Sequence, residues 1–155
     1  MTDGTSTQVC ASGPVLFAYD GSDLAARAIA EAGELLRERD ALVVCAWQPF
    51  DVGFLPAEGE QFNAEQTPEV KRAAERTAAK GASLAEAAGF RTNSVAIEAA
   101  PIWKGIVKLA EEHDASVIVL GSHGRNGLVG ALVGSVAAAV SAHSRRTVLI
   151  THRRD

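Results

Sequence analysis

The chain has 155 residues, 47% of them apolar, and a formal net charge of −4. That length and composition suit one domain with a full core, and the small acidic excess excludes a partner chosen for its polyanionic charge, such as nucleic acid. Aromatic residues make up only 5% of the chain, too sparse for a platform that stacks single-stranded bases.

Met1 to Pro14 is rich in Thr, Ser and Gly, has no period, and reads as a flexible tail over 1–14. No basic start followed by an apolar run marks a signal peptide. Val15 to Tyr19 is a short apolar run of the kind buried on both faces of a sheet. Asp20-Gly21-Ser22 ends it, and Ser22 is a good N-cap for a helix to about Arg39. The inner stripe of that helix is Ala25, Ala28, Ile29, Ala32, Leu35 and Leu36. Ala41 to Trp47 is a second buried strand. Cys45 within it is far from Cys10, so no disulfide is expected and a cytoplasmic setting is the simpler reading.

Gln48 to Thr67 is the one long irregular segment. Such segments are usually functional or disordered, and this one is expected to lie over a pocket as a lid with its acids pointing out. Thr67-Pro68 opens a helix to about Ala88 with Val70, Ala73, Ala74, Ala78, Leu84 and Ala85 inward and Gly89 as its stop. Thr92 to Ala99 is the third strand. Pro101 opens a third helix with Ile102, Ile106, Leu109 and Ala110 inside, ending near His113. Ser116 to Gly121 is the fourth strand. The apolar segment Leu128 to Val140, too short for the roughly 20 residues of a spanning helix, belongs to a core helix reaching about His143. Arg146 to Thr151 is the last strand, and the pairs Arg145-Arg146 and Arg153-Arg154 read as solvated. Strands alternating with helices give an α/β fold with a parallel sheet and helices on both faces, and a ligand site beyond the strand ends.

Between the fourth strand and its helix the chain reads Gly121-Ser-His-Gly124, then nine residues, then Gly134-Ser135. Glycines bring bare N–H groups close to a ligand, and a helix start adds partial positive charge, so this is an anion site. No Gly-Lys pair supplies a mononucleotide P-loop, and the glycine order is not that of the dinucleotide turn. The spacing G-x2-G-x9-G-S resembles the nucleotide signature of the universal stress protein family, and the resemblance runs over nearly the whole chain, with a domain over 15–152.

That resemblance implies a Rossmann-like open sheet in the order 3-2-1-4-5, with Asp20 and Gly121 on opposite lips of one crevice. It implies ATP or another adenine nucleotide, its ribose and phosphates held by Gly121, Gly124, Gly134 and Ser135, with Val136 beside them. Asp20 matches the family acid that lies near the adenosine and helps order a divalent ion such as Mg2+; a turn role for it, bonding Gly21 or Ser22, is the alternative. Ala18 and Tyr19 line the same strand end. Cys45 and Ala46 match positions whose main chain reads the adenine edge. In the loop, His123 is a pocket wall, and Arg125 is either a phosphate contact or a solvated charge. Cyclic AMP is an alternative ligand, and a dimeric adaptor with an unoccupied pocket an alternative role. Strong catalysis is not expected, since no lysine is placed to neutralise a γ-phosphate. The last strand is expected at a sheet edge, pairing with a second copy in a homodimer.

Overall fold

The computed structural model describes residues 13–37, 39–49, 67–124 and 133–153. Within them the chain runs β1 (Val15–Ala18), α1 (Asp23–Leu35), β2 (Asp40–Trp47), α2 (Thr67–Ala87), β3 (Arg91–Glu98), α3 (Ile102–Glu112), β4 (Val117–Gly121), α4 (Ser135–His143) and β5 (Thr147–Thr151). The strands form one five-stranded sheet in the order β3-β2-β1-β4-β5. Every neighbouring pair is parallel, and Val15 stands opposite both Ala41 and Val117. The 1–12 part of the expected 1–14 tail, the 50–66 part of the proposed lid, and the last two residues lie outside the described residues.

The period of two along each strand divides the core. Val15, Phe17, Val43 and Val119 pack with Ala25, Ala28, Ile29 and Ala32 of α1 and with Ala85 and Phe90 around α2. Leu16, Val44, Ile118 and Leu120 pack with Ile106, Leu109 and Ala110 of α3 and with Ala137 and Val140 of α4. A third cluster sets Cys45 and Trp47 against Val70, Ala74 and Ala78 of α2.

Two helices stop the same way. After α2, Gly89 takes φ +99°, and the N–H of Phe90 reaches back to the Ala85 carbonyl at 3.0 Å. After α3, Asp114 takes φ +50°, and the N–H of Ala115 reaches the Ala110 carbonyl at 2.9 Å. Both are left-handed caps that satisfy the last carbonyls, one built on the expected glycine and one on aspartate.

Three expectations are corrected here. Helix α1 ends at Leu35, not near Arg39, because Leu36 turns extended, with ψ 147°. Leu36 then takes the inner place against the core, and Leu35 is 69% exposed. Helix α4 begins at Ser135, so the Leu128 to Val140 segment is not one continuous helix. Gly134 is extended, and its N–H is bonded to the Ser122 carbonyl instead of joining the helix. Arg146 is not a solvated charge. It holds Asp114 at 2.6 Å and Glu111 at 3.0 Å, tying the start of β5 to the end of α3. Those two hydrogen bonds, to Asp114 first, raise its pKa above the ordinary guanidinium value.

Candidate functional site

From its place in the sheet, the chain leaves β1 toward β2 and leaves β4 toward β5, so the winding reverses between β1 and β4. Ligands of open parallel sheets lodge at such a reversal. A cleft of about 240 Å³ opens there. A buried water needs only roughly 10–15 Å³, so the space is that of an organic ligand.

One half of the cleft is apolar. Ala18, Val44, Ala46 and Leu120 line it from the strands, and Ile102 and Ile106 from the first turns of α3. The strand residues all point to the α3/α4 face, and the alanines at two strand ends leave the room. The other half is polar, with Asp20, Gly121, His123, Gly124, Ser135 and Val136 around it. Helix α4 starts here on Gly134, which supplies no side-chain cap. The N–H groups of a first helical turn have no intrahelical partner and favour an anion.

Asp20 does two things. Its Oδ1 accepts the Ser22 N–H at 2.9 Å and so shapes the turn in which Gly21 takes φ +86°. Its Oδ2 faces the glycine loop, where a methyl built on Gly124 would stand 2.6 Å away. Ser22 then caps α1, its Oγ accepting the Ala25 N–H at 3.2 Å. Gly124 and Gly134 are needed for close approach and not for a left-handed backbone, since neither has a positive φ. A methyl on Gly134 would meet the Ser122 carbonyl oxygen at 2.9 Å.

Nine of the expected residues meet at this cleft: Ala18, Tyr19, Asp20, Ala46, Gly121, His123, Gly124, Ser135 and Val136. Gly134 stands just behind them as the N-cap of α4. The Cys45 side chain does not join them. One step along the strand from Val44 or Ala46 it points to the opposite face, among Trp47 and α2. Arg125 lies outside the described residues. Tyr19 borders the cleft at its backbone turn, while its side chain is 2% exposed and its ring packs on α2, where a methyl on Gly81 would stand 2.6 Å from Cδ1. Burial first, then the Asp20 and Asp23 carboxylates and Cys45, push its phenol above the ordinary value of 10.0. Ile102 and Ile106 are the walls that the sequence reading assigned only to the core; their place at the start of a helix following β3 was the available signal. Among the described residues no three His, Cys, Asp or Glu side chains cluster as a metal site, and no helix is long and apolar enough to cross a membrane.

Known proteins share this chain and this fold. A universal stress protein of Methanocaldococcus jannaschii is 32% identical over 143 residues, which is 90% of this chain and 81% of that one. One of Mycobacterium tuberculosis is 35% identical over 144 residues, 92% of this chain, and the chain spans only 46% of its length. Among solved structures, a Methanocaldococcus jannaschii protein superposes with a TM-score of 0.76 at 23% identity, covering 93% of this chain and 98% of that one. A universal stress protein solved in complex with cAMP superposes with a TM-score of 0.65 at 26% identity, covering 93% of this chain and 99% of its own. The sequence profile of the universal stress protein family matches residues 12–152, and the chain belongs to that family.

Proposed function

We propose that this protein binds an adenine nucleotide in the cleft between β1 and β4 and acts as a regulatory stress-response protein of the cytoplasm, with at most slow ATP hydrolysis. The observation that carries the reading is the division of one cleft into an apolar half and a half built around an uncapped helix start. The base lies against Ala18, Val44, Ala46 and Ile102, with main-chain groups near Ala46 and Cys45 facing its edge. The ribose and phosphates lie along Gly121, Gly124 and the start of α4, where Ser135 adds a hydroxyl. The likeness to a family member crystallised with cAMP supports the choice of ligand class.

ATP is the ligand we favour within that class. Among the described residues the cleft carries one carboxylate, Asp20, and Mg2+ is commonly held by one or two carboxylates, waters and phosphate oxygens together. A divalent ion at Asp20 would therefore arrive with the nucleotide. We further propose a homodimer through β5, which ends the sheet and, among the described residues, leaves one backbone edge without a partner strand.

The test is mass spectrometry of whatever co-purifies with the protein, followed by calorimetry with ATP, AMP and cAMP. Binding of any of the three in the micromolar range is expected, with ATP tightest in the presence of Mg2+. Silence for all three at millimolar concentration overturns the nucleotide reading and leaves the dimeric adaptor. Light scattering that returns a monomer mass at micromolar protein overturns the dimer.

A further inference from the structure

Ser122, next to the cleft residues Gly121 and His123, is buried and bonded on several sides. It is 1% exposed. Its N–H donates to the Thr151 carbonyl at 2.8 Å, and its own carbonyl accepts from Gly134. Its Oγ lies 3.1 Å from Nδ1 of His123. The imidazole is thus held by a residue that is itself fixed to β5 and to the start of α4. Its other nitrogen, Nε2, is buried and has no hydrogen-bond partner, alone in this among the side-chain atoms of the described residues. Leaving a buried polar atom unpaired costs about 1–3 kcal/mol, so an atom in that condition beside a cleft calls for a partner, a water or a ligand. The ring lies near the start of α4: a methyl on Gly134 would stand 3.8 Å from Cδ2, the carbon bonded to Nε2.

The geometry points to His123 as the side chain that selects phosphorylated over unphosphorylated adenosine. With the Ser122 hydroxyl donating to Nδ1, the ring proton sits on Nε2, and Nε2–H donates to a phosphate oxygen at the polar end of the cleft. The opposite tautomer would turn a lone pair toward the same oxygen and repel it. His123 is then more than a wall: it is a donor aimed by Ser122, acting with the amides of α4. This inference rests on the nucleotide reading above and adds the atom that recognises the phosphate.

The test compares AMP and adenosine binding by calorimetry for the full chain and its H123A, H123Q and H123N variants. A glutamine amide reaches close to the position of Nε2, and an asparagine amide only that of Nδ1. Expected are losses of about tenfold to hundredfold in AMP affinity for H123A and H123N. H123Q stays within about threefold of the parent, and adenosine affinity is unchanged throughout. Circular dichroism checks that each variant folds. If H123A does not fold, the contrast between Gln and Asn decides alone. Equal AMP affinity in all four proteins overturns the inference, as does an equal loss for adenosine. Rescue by Asn but not by Gln overturns it too, because that pattern belongs to a ring needed only for its bond to Ser122. A parent protein that binds AMP and fails these contrasts sinks this inference alone. A parent that binds no adenine nucleotide overturns both readings.

Discussion

The two faces of the sheet solve opposite problems with the same alternating strands. On the α1/α2 face large strand residues meet small helix residues: Phe17, Tyr19, Val43, Cys45 and Trp47 stand over alanines and Gly81, and Phe17 meets Phe90 edge-on at 5.2 Å. On the α3/α4 face the last strand positions shrink to Ala18 and Ala46, and a cleft remains that Ile102 and Ile106 of α3 also line. The difference teaches that a filled core and an open cleft are separated by a single residue step. Phe17 is buried in the core, and its neighbour Ala18 borders the cleft proposed for the nucleotide.

Four measurements break or sharpen that contrast. The largest effect is expected on the closed face. Phe17 is 1% exposed, and Phe17→Ala should cost about 3–5 kcal/mol, lowering Tm by roughly 10 °C in a melt followed by circular dichroism. The next is on the open face, where Ala18→Leu should lower ATP affinity about a hundredfold or more while Tm moves by no more than about 2 °C. If Ala18→Leu lowers Tm sharply and leaves binding intact, the two faces have been misassigned. A smaller effect belongs to the turn that joins them. Ser22→Ala removes the cap of α1 and should cost about 1 kcal/mol, a shift of about 2–4 °C.

The smallest effect is a titration. Tyr19 is the only tyrosine in the chain, so the phenolate absorbance band reports on it alone. Its midpoint should lie above 10.0. A folded-state pKa above the unfolded value favours the protonated native form. The contribution of Tyr19 is therefore whole below about pH 10 and lost as the pH rises through the folded-state midpoint. Tyr19→Phe should flatten that alkaline loss. A midpoint at the ordinary value would mean that the ring is wetter than its packing on Gly81 indicates.

Much of this was legible in the sequence, and the rest failed for identifiable reasons. Runs such as Val15 to Ala18 and Val117 to Gly121 announce buried parallel strands whatever surrounds them, and the resemblance supplied their order. Gly89 announced its own cap. Local pattern was silent wherever a distant partner decided. Gly134 belongs to an apolar run, yet its amide goes to Ser122, so α4 starts there. Arg146 sits beside another arginine, yet Asp114 and Glu111 claim it. Leu35 keeps helical spacing, but the chain unwinds at Leu36, which takes the inner position. Within the site, Asp20 and the glycines were readable as residue types suited to a turn and a phosphate. The side on which Cys45 falls, and the part played by Ile102 and Ile106, follow only from strand pleat and helix placement.

The bond between the Ser122 carbonyl and the Gly134 amide is 2.5 Å long, and the Ser122 N–H reaches the Thr151 carbonyl at 2.8 Å. One residue just past the end of β4 therefore rivets the end of β5 to the residue before α4. Both rivets are main-chain groups, which every non-proline residue carries. A side-chain replacement at Ser122 that fits the same space keeps them, whereas proline there would remove the bond to β5.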